Sequence, residues 1–328
     1  MKIVKGPRPF TKQEIQNSFL HLRPEALKNL GINHLLSDVA FCWILYGASL
    51  SDYIDYDFIS KNHFERNQFV TDHKRLKLWR KFNGHQFDEV FRNKYITYQT
   101  YKQFFTREIV SFELVGRADF HQFCANKKSV FLKPIDSSNG IGAKKVELVD
   151  AQSGEDLFEK YATTPYLAEE VIDQHRELAE FHPGSVNTIR INTVQTRHGT
   201  QILGAALRLG VGDDVVDNYT TGGLITAIDI ESGVVFTPGR DVFLNWYAFH
   251  PDSKKQIIGF EIPGWDEVKR FAFALATIVP QVRFVGWDIA LAKEGEPVLV
   301  EGNIHSTFLQ VADQVGKLRL YQEALKDW

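Results

Sequence analysis

Asp288 in "VGWDIAL" and Glu301 and Asn303 in "PVLVEGN" put oxygen-bearing side chains into otherwise strongly apolar stretches. Glu301 and Asn303 are two residues apart, so on a strand they emerge on one face, and the turn "KEGE" brings that strand back beside the one carrying Asp288. Carboxylate and amide oxygens suit magnesium, which keeps waters and completes its shell with phosphate oxygens. Plain surface charges would be poorly placed in such strands. Gly286 and Ala290 share the face of Asp288 and are expected to leave room above it, while Val285, Trp287, Ile289 and Leu291 fill the opposite face.

A second stretch, "VFLKPIDSSNGIGAKKVEL", sets Lys133 on a strand face with Phe131 and Ile135, where a half-buried ammonium needs an anion. The loop that follows carries Ser137, Ser138 and Asn139 as donors, and Gly140 and Gly142 as positions that permit close backbone approach. It is neither a Walker A loop nor a Rossmann turn, since the lysine comes before the glycines and no helix opens after them. Two readings stand on this stretch alone: a grip for phosphate, or the Asn-Gly turn of a β-hairpin. Magnesium beside a phosphate grip would imply a nucleotide.

These groups need a scaffold, and the chain has length for one. Its 328 residues can bury a substantial core in two or three subdomains. A net charge of -3 supplies no broad basic field, so nucleic acid is not an expected partner. Cys42 and Cys124 are too few and too far apart for a disulfide framework or a zinc site, which fits a reducing cytoplasm. The opening "MKIVKGPRPF" lacks the apolar core of a leader, and runs such as "VAFCWILYGA" are about half the length of a spanning helix. Neither secretion nor membrane insertion is expected.

From residue 11 to about 110, apolar residues recur at three- and four-residue spacing, which predicts a helical N-terminal region. Its basic run "HKRLKLWRK" reads as a solvated helix with a buried stripe rather than an anion grip. From about 128 onward, short β-branched or aromatic runs divided by Gly, Asn and Asp predict strands: "SVFLKPI", "KKVELV", "YLAEEVI", "TIRINTV", "ILGAALRLG", "LITAIDI", "VGWDIAL" and "PVLVEGN". One helix, "WDEVKRFAFALATIV", interrupts them, and another ends the chain. The pattern is α+β with largely antiparallel sheets.

The order of Lys94 in "FRNKYITYQ", Lys133 with its loop, "YLAEEVIDQH", Arg190 in "VNTIRIN", "DNYTTGG", "WDIAL" and "LVEGN" resembles the ATP-grasp superfamily. It is most similar to the sugar-transfer-associated branch, including the helical lead-in and "GASLSDYIDYDFI", from about residue 40 to 325. The resemblance implies two α+β lobes clamping ATP, after a helical region over 1–90, with the small lobe at 91–170 and the large lobe at 171–328. It implies that Lys94 and Lys133 contact phosphates and that "SSNGIG" is the lid. Glu169, Glu170, Val171 and Ile172 would be the hinge reading adenine, with Glu177 or Asn187 on the ribose. Asp288, Glu301 and Asn303 would hold magnesium, as two ions bridged by Glu301, with manganese as a substitute. Arg190 and Arg208 would face the transferred phosphoryl group, with Lys133 beside them in catalysis. Asn218, Gly222 and Gly223 would line the substrate end, with His305 either bonded to the acceptor or a plain loop residue.

The implied activity is an ADP-forming carboxylate-amine ligase working through an acyl phosphate on small-molecule or glycan-precursor substrates. A kinase for a hydroxyl acceptor and a nucleotide-binding non-enzyme of a glycan assembly system are the alternatives. A homo-oligomer is left open.

Overall fold

A computed structural model of the chain describes residues 10–137 and 140–327. The opening segment examined above for a leader, and Ser138 and Asn139 of the loop, lie outside the described residues.

The N-terminal region is helical, as its periodicity predicts: α1 (Lys12–Leu22), α2 (Pro24–Tyr46), α3 (Leu50–Asp55), α4 (His63–Asn67), α5 (Asp72–Phe82), α6 (Asp88–Arg92) and α7 (Lys94–Thr100). Thr11 with Glu14, Ser49 with Asp52, and Asn62 with Glu65 each form a capping box, so short helices that would fray alone have their first N–H groups satisfied. Gly31, at φ 74°, kinks α2. These helices close over their own core of Ile15, Phe19, Leu35, Val39, Tyr53, Phe58 and Phe69.

Two antiparallel sheets follow. The smaller has the order β1 (Ile109–Ser111), β4 (Tyr166–Glu170), β2 (Ser129–Pro134), β3 (Lys144–Glu147). The larger runs β11 (Pro297–Asn303), β10 (Phe284–Leu291), β5 (Ile189–Thr196), β6 (Gly199–Leu209), β7 (Leu224–Ile228), β8 (Gly239–Arg240), β9 (Trp246–Tyr247). Every predicted strand is present. The sequence reading passes over β1, β8 and β9, which at two or three residues are too short to show alternation.

It also passes over α8 (Arg117–Cys124), α9 (Ala151–Tyr161) and α10 (Arg176–Ala179), whereas α11 (Trp265–Ile278) is the predicted helix. The signal for α9 was there: Asp150 caps it by accepting from Ser153 N at 2.9 Å, and Leu157 and Tyr161 are buried four apart. The C-terminal end holds α12 (Gln310–Asp313) and α13 (Leu318–Lys326).

One face of the large sheet packs on α11, with Ile191, Leu207, Leu275, Trp287 and Ile289 all fully buried between them. Each such side chain contributes roughly 1.5–3 kcal/mol on leaving water. The other face carries the polar residues, and the N-terminal helices are stitched to it. Gln310 accepts from Val70 N at 2.8 Å and donates to Val70 O at 3.1 Å, Trp79 donates to Ser306 O at 3.0 Å, and Asn83 brackets Phe284 with bonds of 2.7 and 3.0 Å.

Candidate functional site

Strand register assembles the polar row. Asp288 on β10 lies directly between Arg190 on β5 and Glu301 on β11, and Gly286 lies opposite Asn303. Arg208 on β6 is two residues beyond Ala206, the partner of Arg190, and so shares that face. A bulge at Val300 shifts β11 between Glu301 and Leu299. Arg208, Arg190, Asp288, Glu301 and Asn303 therefore form one line across four strands.

The expected room above Asp288 is filled. Arg190 donates to its two oxygens at 2.5 and 2.7 Å, and Arg208 adds a third bond at 3.0 Å. A Cβ at Gly286 would stand 2.1 Å from the Ser306 hydroxyl, so the glycine makes space for a serine that bonds Arg190 and Asn192 rather than for a ligand. Burial pushes the Asp288 carboxyl up, but Arg190 and Arg208 together outweigh it and hold the group below its ordinary value. Arg208 is also tied to buried Asp217 at 3.3 Å, whose carboxylate accepts from Thr188 N at 2.8 Å. Burial dominates at Asp217 and raises its pKa.

The metal question turns on what these contacts leave. Among the described residues no group of three or more His, Cys, Asp or Glu could hold a metal ion. The set here is two carboxylates and an amide, with Asp288 occupied by arginines. Glu301 accepts a single hydrogen bond, from Asn303 Nδ2 at 2.9 Å, which leaves the Asn303 oxygen and most of the Glu301 lone pairs open. Oxygen donors of this kind fit a hard cation that takes the rest of its shell from water and phosphate.

The small sheet supplies the cations. Lys133, 8% exposed, forms an ion pair with Glu169, which also takes Arg107 Nε and Nη2 at 3.0 Å each. The anion this lysine requires is thus supplied by the chain itself, from Glu169 on the neighbouring strand β4. Burial raises Glu169, and Lys133 and Arg107 more than reverse it, so the carboxyl stays below its usual range. Lys94, at the start of α7 where Asn93 caps the helix, donates to Ser137 O and has no ion pair among the described residues. Burial lowers its pKa against the pull of Glu301, so it is a desolvated ammonium open to an anion. The β2–β3 connection is a hairpin, as one reading held, and its Gly140 also lines the cavity between the sheets.

That cavity, about 650 Å³, is lined by Lys94, Lys133, Ser137, Gly140, Glu169, Glu170, Val171, Ile172, Arg190, Arg208, Asn218, Asp288, Glu301, Asn303 and His305. The size suits a nucleotide with a small second ligand. His305 rests on Trp79 with ring centres 5.0 Å apart, and burial keeps its pKa low. Gly142, Gly222 and Gly223 shape loops without lining the cavity: a Cβ on Gly223 would meet Asp217 O at 2.6 Å. Glu177 is exposed on α10 and away from the cavity. Asn187 is fully buried and saturated, donating to Gln174, Leu178 and His182 and accepting from Gly210 N. Neither ribose candidate reaches the cavity.

Sequence reading also left lining residues without a role: Arg107, Asp217 at the head of "DNYTTGG", Ser51, Asp52 and Asp55 within "GASLSDYIDYDFI", and Arg75. Arg75 belongs to the basic run read as solvated.

Solved structures of similar fold include the ATP-grasp ligase PsnB complexed with minimal precursor, Mg and ADP, at 15% identity over 75% of this chain and 62% of that one, TM-score 0.45. L-amino acid ligase from Bacillus licheniformis matches at 15% identity over 73% and 49%, TM-score 0.44. D-alanyl-alanine synthetase A from Vibrio cholerae matches at 11% over 74% and 68%, TM-score 0.45. The chain thus spans less than two thirds of the length of the first two structures. No curated protein matches it. The family description "Sugar-transfer associated ATP-grasp" matches residues 74–324, most of the chain. With that match laid over two antiparallel sheets facing one cavity, the chain belongs to the sugar-transfer associated ATP-grasp family.

Proposed function

We propose that the protein is an ATP-dependent, ADP-forming ligase that joins a carboxylate to an amine through an acyl phosphate, with a sugar acid or amino acid of a surface-polysaccharide precursor as substrate. The observation that carries the reading is a single cavity lined by Lys94 and Lys133 on one side and by Asp288, Glu301 and Asn303 on the other. Family membership supports ATP as the nucleotide. The small sheet within residues 91–170 and the large sheet within 171–328 support reading these spans as two lobes.

In this reading Lys94 and Lys133 bind the phosphates, Gly140 lets the hairpin loop approach them, and the backbone at Val171 and Ile172 meets the adenine. Glu301 and Asn303, with Asp288 behind them, would hold magnesium. Held there, magnesium would supply positive charge to offset that of the phosphates. Arg190 and Arg208 face the acceptor carboxylate, whose oxygen attacks the γ-phosphorus while ADP leaves. The amine, having lost its ammonium proton to solvent, then attacks the acyl carbon through its nitrogen, the C–N bond forms, the bond to phosphate breaks as inorganic phosphate departs with the electron pair, and the nitrogen releases a second proton to solvent. The protein supplies alignment and charge, and needs no side-chain nucleophile.

The test is release of ADP and phosphate from Mg-ATP with paired panels of acids and amines. Release that requires both partners supports the ligase. A stable phosphorylated product formed with a hydroxyl acceptor alone, or nucleotide binding without turnover under every pairing, overturns it.

A further inference from the structure

Part of the cavity wall comes from the N-terminal helices and is acidic. Ser51, Asp52, Asp55 and Asp72 line it, and all precede residue 74, where the family match begins. Asp72 is neutralised by Arg75, which also lines the cavity. Asp52 and Asp55 have no ion pair among the described residues. Asp52, 4% exposed, spends one oxygen on the N–H groups of Ser49 and Asp72 at 3.0 and 2.7 Å, which explains that oxygen as a helix cap and leaves the other.

No such account covers Asp55. Its carboxylate accepts only the Ser51 hydroxyl at 3.0 Å. The nearest guanidinium, on Arg240, donates instead to the Asp55 main-chain oxygen at 2.7 Å. Tyr219, on the same wall, has a hydroxyl buried without a hydrogen-bond partner. Burial pushes both acids up, Asp52 to about 6, against the pull of Arg75 on both and of Arg240 on Asp55.

We propose that the helices ahead of the matched domain form the amine-binding end of the site, with Asp55 and Tyr219 receiving the ammonium group of the second substrate. The assignment rests on the ligase reading for which substrate goes where: Arg190 and Arg208 are already paired with Asp288 and Asp217, whereas Asp55 has no ion pair among the described residues, and of the two substrates only the amine carries the positive charge it would take.

The test uses the full chain with MgADP and calorimetric titration at pH 7 of three probes on one hexose scaffold: glucosamine, N-acetylglucosamine and glucuronate. Glucosamine is expected to bind at least tenfold tighter than the other two. Asp55→Asn is expected to lose at least tenfold in glucosamine affinity with its ADP affinity unchanged. Tyr219→Phe, which removes one oxygen, is expected to lose about threefold and stands in should the Asp55 variant fail to bind ADP. Glucosamine binding no tighter than N-acetylglucosamine, or equal in wild type and the variants, overturns the proposal. Failure of the wild type to bind ADP strikes the nucleotide reading instead, and the amine titration is then read without ADP.

Discussion

Replacing Glu169 by Gln separates the role of Lys133 in folding from its role in binding. Glu169 is 3% exposed and balances two buried cations, Lys133 and Arg107. Gln keeps the shape but removes the charge, and breaking a buried ion pair from one side costs about 3–5 kcal/mol. The apo protein should therefore unfold at a clearly lower urea concentration. Nucleotide should respond in the opposite direction, because Lys133 then has no internal partner and phosphate supplies one. A unit charge at about 4 Å and an effective dielectric of about 20 is worth roughly 4 kcal/mol, against about 2 kcal/mol of rotamer entropy for a lysine released from its pair. The difference of about 2 kcal/mol means the variant should bind Mg-ATP about thirtyfold tighter, and saturating nucleotide should narrow the stability gap by about 2 kcal/mol. Urea unfolding with and without Mg-ATP, together with titration calorimetry, reads both quantities. Unchanged or weaker nucleotide binding in Glu169→Gln would refute the argument that Glu169 and phosphate compete for Lys133.

Glu301→Gln should lower turnover by two or more decades while leaving the circular dichroism spectrum and unfolding midpoint in place; near-normal turnover removes Glu301 from the mechanism. Asp52 gives a pH test. Its native carboxyl titrates at about 6 against 3.8 for the ordinary group, so its proton stabilises the fold fully below about pH 4 and that stability is lost as pH rises to 6. The loss is about 3 kcal/mol, and Asp52→Asn should remove it. Glu169 acts in the opposite sense, losing its contribution as pH falls, so only the difference between wild type and Asp52→Asn across pH 4 to 6 is diagnostic; equal slopes would count against the burial argument. Gly286→Ala should cost about 1–3 kcal/mol, since its methyl meets Ser306, and should slow turnover by loosening Arg190. A variant as stable as wild type would show that Ser306 moves aside freely.

The alternation of polar and apolar residues on β10 and β11 was enough to place Asp288, Glu301 and Asn303 on one face, because side-chain direction on a strand has a period of two. What occupies that face was not legible. Arg190 and Asp288 are 98 residues apart, and a sequence reveals which groups share a surface but not which distant partner reaches them first. Gly286 looked like room for a ligand and is room for Ser306. Lys133 called for an anion, and Glu169 answered from the next strand in space. The basic run on α5 looked solvated because Leu76 and Trp79 sit at helical spacing; both are half-buried, the buried pair is Leu78 and Phe82, and Arg75 lines the cavity. The ribose candidates were chosen by distance along the chain, and Asn187 proved instead to be a four-way pin beneath the loop.

The double bond of Gln310 to the Val70 main chain, with Asn83 bracketing Phe284, makes the acidic helices and the seven-stranded sheet a single fixed jaw built from the two ends of the polypeptide. The lysine-bearing sheet is the opposing jaw. Any change in bite alters the gap from Lys133 to Glu301 and leaves the spacing from Asp55 to Arg208 as it was. On the proposed reading, the acceptor end would then be built on one body and the phosphate end across two.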